Sequence, residues 1–169
     1  MAGFQEAVRA GRTLATTGPW VELSVGGCAP GDVLAAEAGA TVPVTVRCTG
    51  LGVENLQLVG PDGVLAASDG ALIETAVAIT GSTWLAAVAR GPAHPSVPGA
   101  AVFAHTSPVH VEVQGRRVRR EASVRWLLDW LDRLEALVRE HGRFARDAQR
   151  DDVLDVIARA RPYYESQLD

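Results

Sequence analysis

The apolar residues of this chain change their spacing once. From Trp20 to Val113 they recur mostly at every second position, and after Glu121 they recur at every third or fourth. A period of two marks strands with one buried face, and a period near 3.6 marks amphipathic helices. A β region followed by a helical region is therefore the expected order. Val21, Leu23 and Val25 alternate with Glu22 and Ser24 until the turn cluster from Gly26 to Gly31 stops the strand. Val42 to Cys48 alternates next. Pro43 falls on its other face, and proline is tolerated mainly at strand edges or starts because it cannot donate to a ladder.

Further strands are expected at Leu56 to Val59, at Val64 to Ala66 beyond the Pro61-Asp62-Gly63 turn, and at Ile73 to Ile79. Trp84 to Arg90 and Ala101 to Thr106 follow, split by a loop holding Pro92, Pro95 and Pro98, and Val109 to Val113 closes the set. Seven or eight short strands at this spacing predict an antiparallel, immunoglobulin-like β-sandwich over residues 19–115. Residues 1–18 read as a short helix with Phe4, Ala7 and Val8 on one side, followed by a lead-in segment. Residues 116–169 read as a two-helix extension packed on the sandwich, so the class is mainly β with α.

In that extension Trp126, Leu127, Trp130, Leu131, Leu134, Leu137 and Val138 form one apolar stripe, with a stop at Gly142. The second helix is expected to carry Asp151 and Asp152 in its first turn, where the macrodipole favours them. Its stripe would be Val153, Val156, Ile157, Ala160 and Tyr164, and Pro162 should bend or end it.

A formal net charge of -4 argues against a nucleic-acid binder, for which clustered positive charge is the electrostatic footprint. The 16 basic residues are all Arg, a bias expected of a GC-rich, bacterial genome that carries no functional weight. No apolar run suits a membrane span or a leader, so a cytoplasmic chain is expected. Cys28 and Cys48 alone give neither a disulfide framework nor closely spaced zinc ligands. Cys48 continues the Val42, Val44, Val46 alternation towards a core, whereas Cys28 sits in a turn.

The segment Gly11-Arg12-Thr13-Leu14-Ala15-Thr16-Thr17-Gly18-Pro19 resembles the Gly-Arg-Thr-x-x-Thr-Asn-Gly-Pro segment of CehA/McbA-type metallohydrolases, a branch of the PHP superfamily. Gly26 to Asp32, Trp84 to Arg90, Phe103 to Val109 and Arg159 to Tyr164 are similar to family segments in the same order, so the likeness spans nearly the whole chain. Thr17 stands where the family usually has Asn, and His110 where Tyr is common. The resemblance implies the β-domain and late helices that follow the catalytic domain in those proteins. It also implies a PHP-type catalytic domain or subunit as partner.

The His-x-His metal motif of that catalytic domain is missing. His94, His105, His110 and His141 give neither that spacing nor His-Glu-x-x-His. No catalytic residue, metal or cofactor is therefore expected, and the reading is a non-catalytic accessory domain. A free-standing ligand-binding sandwich is the alternative, with a pocket beside residues 91–99. A small metal-dependent hydrolase using His105 is a third reading. Candidate cleft or interface contacts are Arg12, Thr16, His105, Thr106 and Ser107, with His105 the one weak metal candidate. His105 and His110 lie five residues apart, on opposite faces of an unbroken strand, unless a bulge at Ser107-Pro108 brings them to one face. Arg116, Arg117, Arg119 and Arg120 read as a solvated strand end and helix entry. An exposed apolar patch near Arg12 to Pro19 or on the helices would suit a partner or a homodimer.

Overall fold

The computed structural model describes residues 2–95 and 101–168, and the chain divides into two compact units, Met1–Val118 and Arg119–Asp169. The first unit is a β-sandwich. It opens with α1 (Ala2–Arg9) and continues through β1 (Leu14–Thr16), β2 (Trp20–Val25), β3 (Val33–Ala36), β4 (Thr41–Thr49) and β5 (Asn55–Gly60). β6 (Gly63–Ser68), β7 (Leu72–Ala78), β8 (Thr83–Ala93), β9 (Ala101–Thr106) and β10 (Val109–Val113) complete it.

The smaller sheet has the order β2-β4-β7 and is antiparallel throughout. In the larger sheet β8, the longest strand, pairs with β5 along one edge and with β9 and β10 along the other. β6 flanks β5, β1 flanks β9, and β3 runs parallel beside β10. Alternation explains the core. Val21, Leu23 and Val25, with Val42, Val44, Val46 and Cys48, face Leu56, Leu58, Leu85, Ala87, Ala89, Val109 and Val111 across the sandwich, all of them buried. Cys48 joins the core as its register predicts, and Cys28 is only half-buried.

Sequence periodicity identifies eight of these strands and misses β1 and β3, which are short and hold their strand geometry through the ladders to β9 and β10. Pro43 sits near the start of the central strand β4. Its carbonyl accepts the Gly26 N–H at 2.8 Å, just past the end of β2 at Val25. A residue in extended conformation points both main-chain groups to the same side, so the missing N–H of Pro43 falls where β2 has already ended.

The second unit is a helical pair, α2 (Glu121–His141) and α3 (Asp147–Glu165), joined through Gly142, whose N–H bonds the Val138 carbonyl. Val124 and Val138 of α2 and Ile157 of α3 are buried, with Leu127, Leu128, Leu131, Leu154 and Tyr164 half-buried beside them. Glu121 with Arg125 and Glu135 with Arg139 are paired one turn apart along α2. α3 departs from its sequence pattern in three ways. α3 starts at Asp147, four residues before Asp151, so Asp151 and Asp152 lie in its second turn. Its buried line runs through Leu154 and Ile157, which leaves Val153 and Val156 exposed. The helix also runs on past Pro162 to Glu165 before it stops.

Candidate functional site

The lead-in segment and the β9–β10 corner meet, and their sequence explains how. β9 faces β8 with Val88 opposite His105 and Ala89 opposite Ala104, whereas β10 faces it with Leu85 opposite Val109. The register moves by one residue between them, so Ser107-Pro108 holds a bulge. Val102, Ala104 and Thr106 point inward on one side of it, and Val109, Val111 and Val113 point inward on the other.

At the bulge the buried Thr106 hydroxyl accepts the Ala87 N–H at 3.0 Å. Ser107 donates its N–H to the Thr13 carbonyl at 2.9 Å, and its hydroxyl lies 2.7 Å from the Thr13 hydroxyl. Thr16 donates to the Pro19 carbonyl at 2.6 Å and accepts the Gly18 N–H at 2.9 Å, fastening the turn from β1 into β2. Thr17 is a residue that the sequence did not single out as a site contact. Its N–H bonds the Phe103 carbonyl and its hydroxyl accepts the Phe103 N–H, both at 2.9 Å, locking β1 to β9. A hydroxyl directly after the Thr16 turn was the signal available.

The hydroxyls of Thr16, Thr106 and Ser107 are thus held by neighbouring groups of the chain. A serine nucleophile needs an adjacent base, and the Ser107 hydroxyl is on Thr13 instead. His105 stands on the outer face of the larger sheet. Its ring lies 5.6 Å from that of Phe103, which also carries the Arg90 guanidinium at 5.4 Å. The bulge does bring His105 and His110 to the same outer face, both exposed. They nevertheless oppose Val88 and Trp84, four residues apart along β8, a separation of about 13 Å at the rise of a strand. That is too far to share one metal ion, and among the described residues no three His, Cys, Asp or Glu side chains are placed to hold one.

Arg12 is the remaining candidate. It follows α1 at a joint where Gly11 and Gly31, both with positive φ, come within van der Waals reach of each other. From there the exposed Arg12 side chain borders a groove of about 370 Å³ between β1 and β2, lined by Leu14, Trp20, Val21, Glu22, Leu23 and Thr106 among others. Arg12 and Thr106 are thereby brought together, whereas His105 points away on the outer face. Arg116, Arg117 and Arg119 are exposed around the end of β10 and the entry to α2, as expected of a solvated run, whereas Arg120, expected to be solvated with them, is half-buried. Residues 96–99 of the loop expected to flank a pocket lie outside the described residues. Among the described residues no helix is long and apolar enough to cross a membrane.

These features define a small β-sandwich domain followed by a helical pair. No family model matches the chain, and no curated protein matches it in sequence. Among solved structures it is similar to the sulfur carrier protein SoxY from Chlorobium limicola f thiosulfatophilum, at 20% identity and TM-score 0.39 over 55% of this chain and 74% of that one. It is also similar to the fibronectin(III)-like modules of CbhA from Clostridium thermocellum, at 18% identity and TM-score 0.36 over 54% of this chain and 96% of that one.

Proposed function

We propose that this chain is a non-catalytic accessory domain, similar to the C-terminal portion of CehA/McbA-type hydrolases of the PHP superfamily, and that it works in the cytoplasm beside a PHP-type catalytic domain or subunit. One observation supports the reading above the others. In the segment that resembles the family's inter-domain junction, the hydroxyls of Thr13, Thr16 and Thr17 are all spent on holding the sandwich together, while Arg12 stays exposed and outside any ion pair among the described residues. A guanidinium presented at a junction suits contact with a carboxylate or phosphate across it.

The test is to supply a PHP-type catalytic domain as a separate chain. Co-elution on gel filtration is expected, with a several-fold loss of phosphoesterase activity when Arg12→Ala replaces the native protein. Absence of any complex would overturn the accessory reading in favour of a free-standing binding sandwich, which the groove beside Arg12 supports. Elemental analysis of tag-free protein decides the third reading. One tightly held zinc or manganese per chain would bring His105 forward as a ligand, and substoichiometric metal would remove it.

A further inference from the structure

β2 is an edge strand of the smaller sheet, and its main chain shows which groups are free. The Gly26 N–H bonds Pro43 on β4, while the Val25 N–H turns the other way, to the Cys28 carbonyl at 3.0 Å. Successive residues of a strand aim their main-chain groups to opposite sides. Trp20, Glu22 and Ser24 therefore bond β4, and Val21 and Leu23 aim both N–H and C=O away from it. Cys48, opposite Val21, agrees, since its N–H bonds Ala71 on the far side. Among the described residues nothing bonds the free side of Val21 or Leu23. The same parity on β1, where Thr13 and Thr17 bond the β9 segment, sends the main-chain groups of Leu14 outward. The groove is lined by all three of these residues, so it joins two open edges over an apolar floor.

Natural edges are commonly blunted by a bulge, a proline or an inward charge. β6, an edge of the larger sheet, has its pairing with β5 broken by a register shift. β2 has six residues, no proline and an unbroken ladder to β4. Two charges of opposite sign stand on opposite walls, Arg12 on the β1 side and Glu22 on β2, the latter with Arg47 across from it on β4, and Trp20 is 59% exposed.

We propose that this groove takes an extended peptide segment of a partner protein, which adds as a strand to the free edge of β2. The main-chain groups of Val21 and Leu23 supply the hydrogen bonds, which fit any sequence. Selectivity comes from side chains: apolar residues at alternate positions towards Leu14 and Leu23, a basic residue against Glu22, and an acidic residue against Arg12. This rests on the chain being an interaction module and names the class of partner it would receive.

The experiment is selection of a displayed library of random dodecapeptides on the immobilised full-length chain, followed by amide hydrogen exchange with the selected peptides. Enriched sequences with alternating apolar residues should slow exchange at Val21 and Leu23, whose N–H groups are free, and leave Glu22 and Ser24, already bonded to β4, nearly unchanged. Trp20→Ala should weaken binding by roughly thirtyfold, the loss of one hot-spot contact, and Ala29→Trp should block the groove. Peptides that enrich but protect other residues would overturn the edge site while leaving an interaction module in place. No enrichment, or self-association of the chain through β2, would overturn the peptide as occupant. Co-elution with a catalytic domain judges the accessory reading separately.

Discussion

The hydroxyl of Thr106 accepts the main-chain N–H of Ala87 at 3.0 Å, at the step where the β9–β10 edge slips by one residue along β8. A side chain thus accepts a main-chain N–H at the point where the ladder shifts. Thr106→Val keeps the shape and strands the Ala87 N–H, which costs about 1–3 kcal/mol for a buried unsatisfied donor. Thr106→Ser keeps the acceptor and should lose much less. Urea midpoints of the two variants decide it: a larger loss for Thr106→Ser than for Thr106→Val would show that the methyl group, and not the hydrogen bond, is what the site needs.

The joint between α1 and the turn before β3 depends on Gly31. It has φ +89°, and an added Cβ would run into the carbonyl oxygen of Ala10. Gly27 has a similar φ of +84° with open space around it. Gly27→Ala should therefore show only the left-handed backbone penalty, about 1 kcal/mol. Gly31→Ala should cost clearly more, because the helix end must move as well. The comparison is read from thermal or urea midpoints, and equal effects would mean that the α1 joint yields freely.

The two variants also mark what sequence can and cannot show. Alternation is a strong signal where every second residue is Val, Leu or Ile, and so β2, β4 and β10 were legible. β1 and β3 carry one or two large apolar residues each, and their strand character comes from neighbours that the sequence does not name. The bulge was present as a change of parity, with Thr106 and Val109 both inward, yet reading it required knowing that Thr106 is buried. Arg12 and Thr106 of the candidate contacts do line one groove, but Trp20 and Glu22 were read only as parts of a strand. Their role depends on β2 being an edge, which is a property of sheet order. On α3 several phases of a 3.6 period contain apolar residues, and only the partner helix selects Leu154 over Val153 and Val156.

Burial pushes the Cys48 thiol above its ordinary value of 9.0. The protonated thiol is then the form the folded state favours. Its contribution to stability is complete below about pH 9 and is lost as pH rises from there through the folded value, since the unfolded chain ionises first. A Cys48→Val variant should show a weaker fall in stability above pH 9 than the native chain. Thiol reagents should also modify the half-buried Cys28 well before Cys48. Matching alkaline profiles for the two proteins would mean that Cys48 takes no part.

The helical pair separates residues that hold it together from residues that only face solvent. Ile157 is 4% exposed, and Ile157→Ala should lower the stability of the pair by about 2–5 kcal/mol through lost burial and the cavity left behind. Trp126 and Trp130 belong to the same apolar pattern by sequence, yet they are 58% and 48% exposed, with their rings in edge contact at 5.7 Å and the Arg133 guanidinium over Trp130. Replacing either by Ala should change stability by about 0.5 kcal/mol or less, the usual range for a surface site. Far-ultraviolet circular dichroism through urea titrations of the variants measures both effects. If Trp126→Ala proved as costly as Ile157→Ala, the tryptophan face would be buried in solution, and gel filtration with light scattering would then establish whether a second copy covers it.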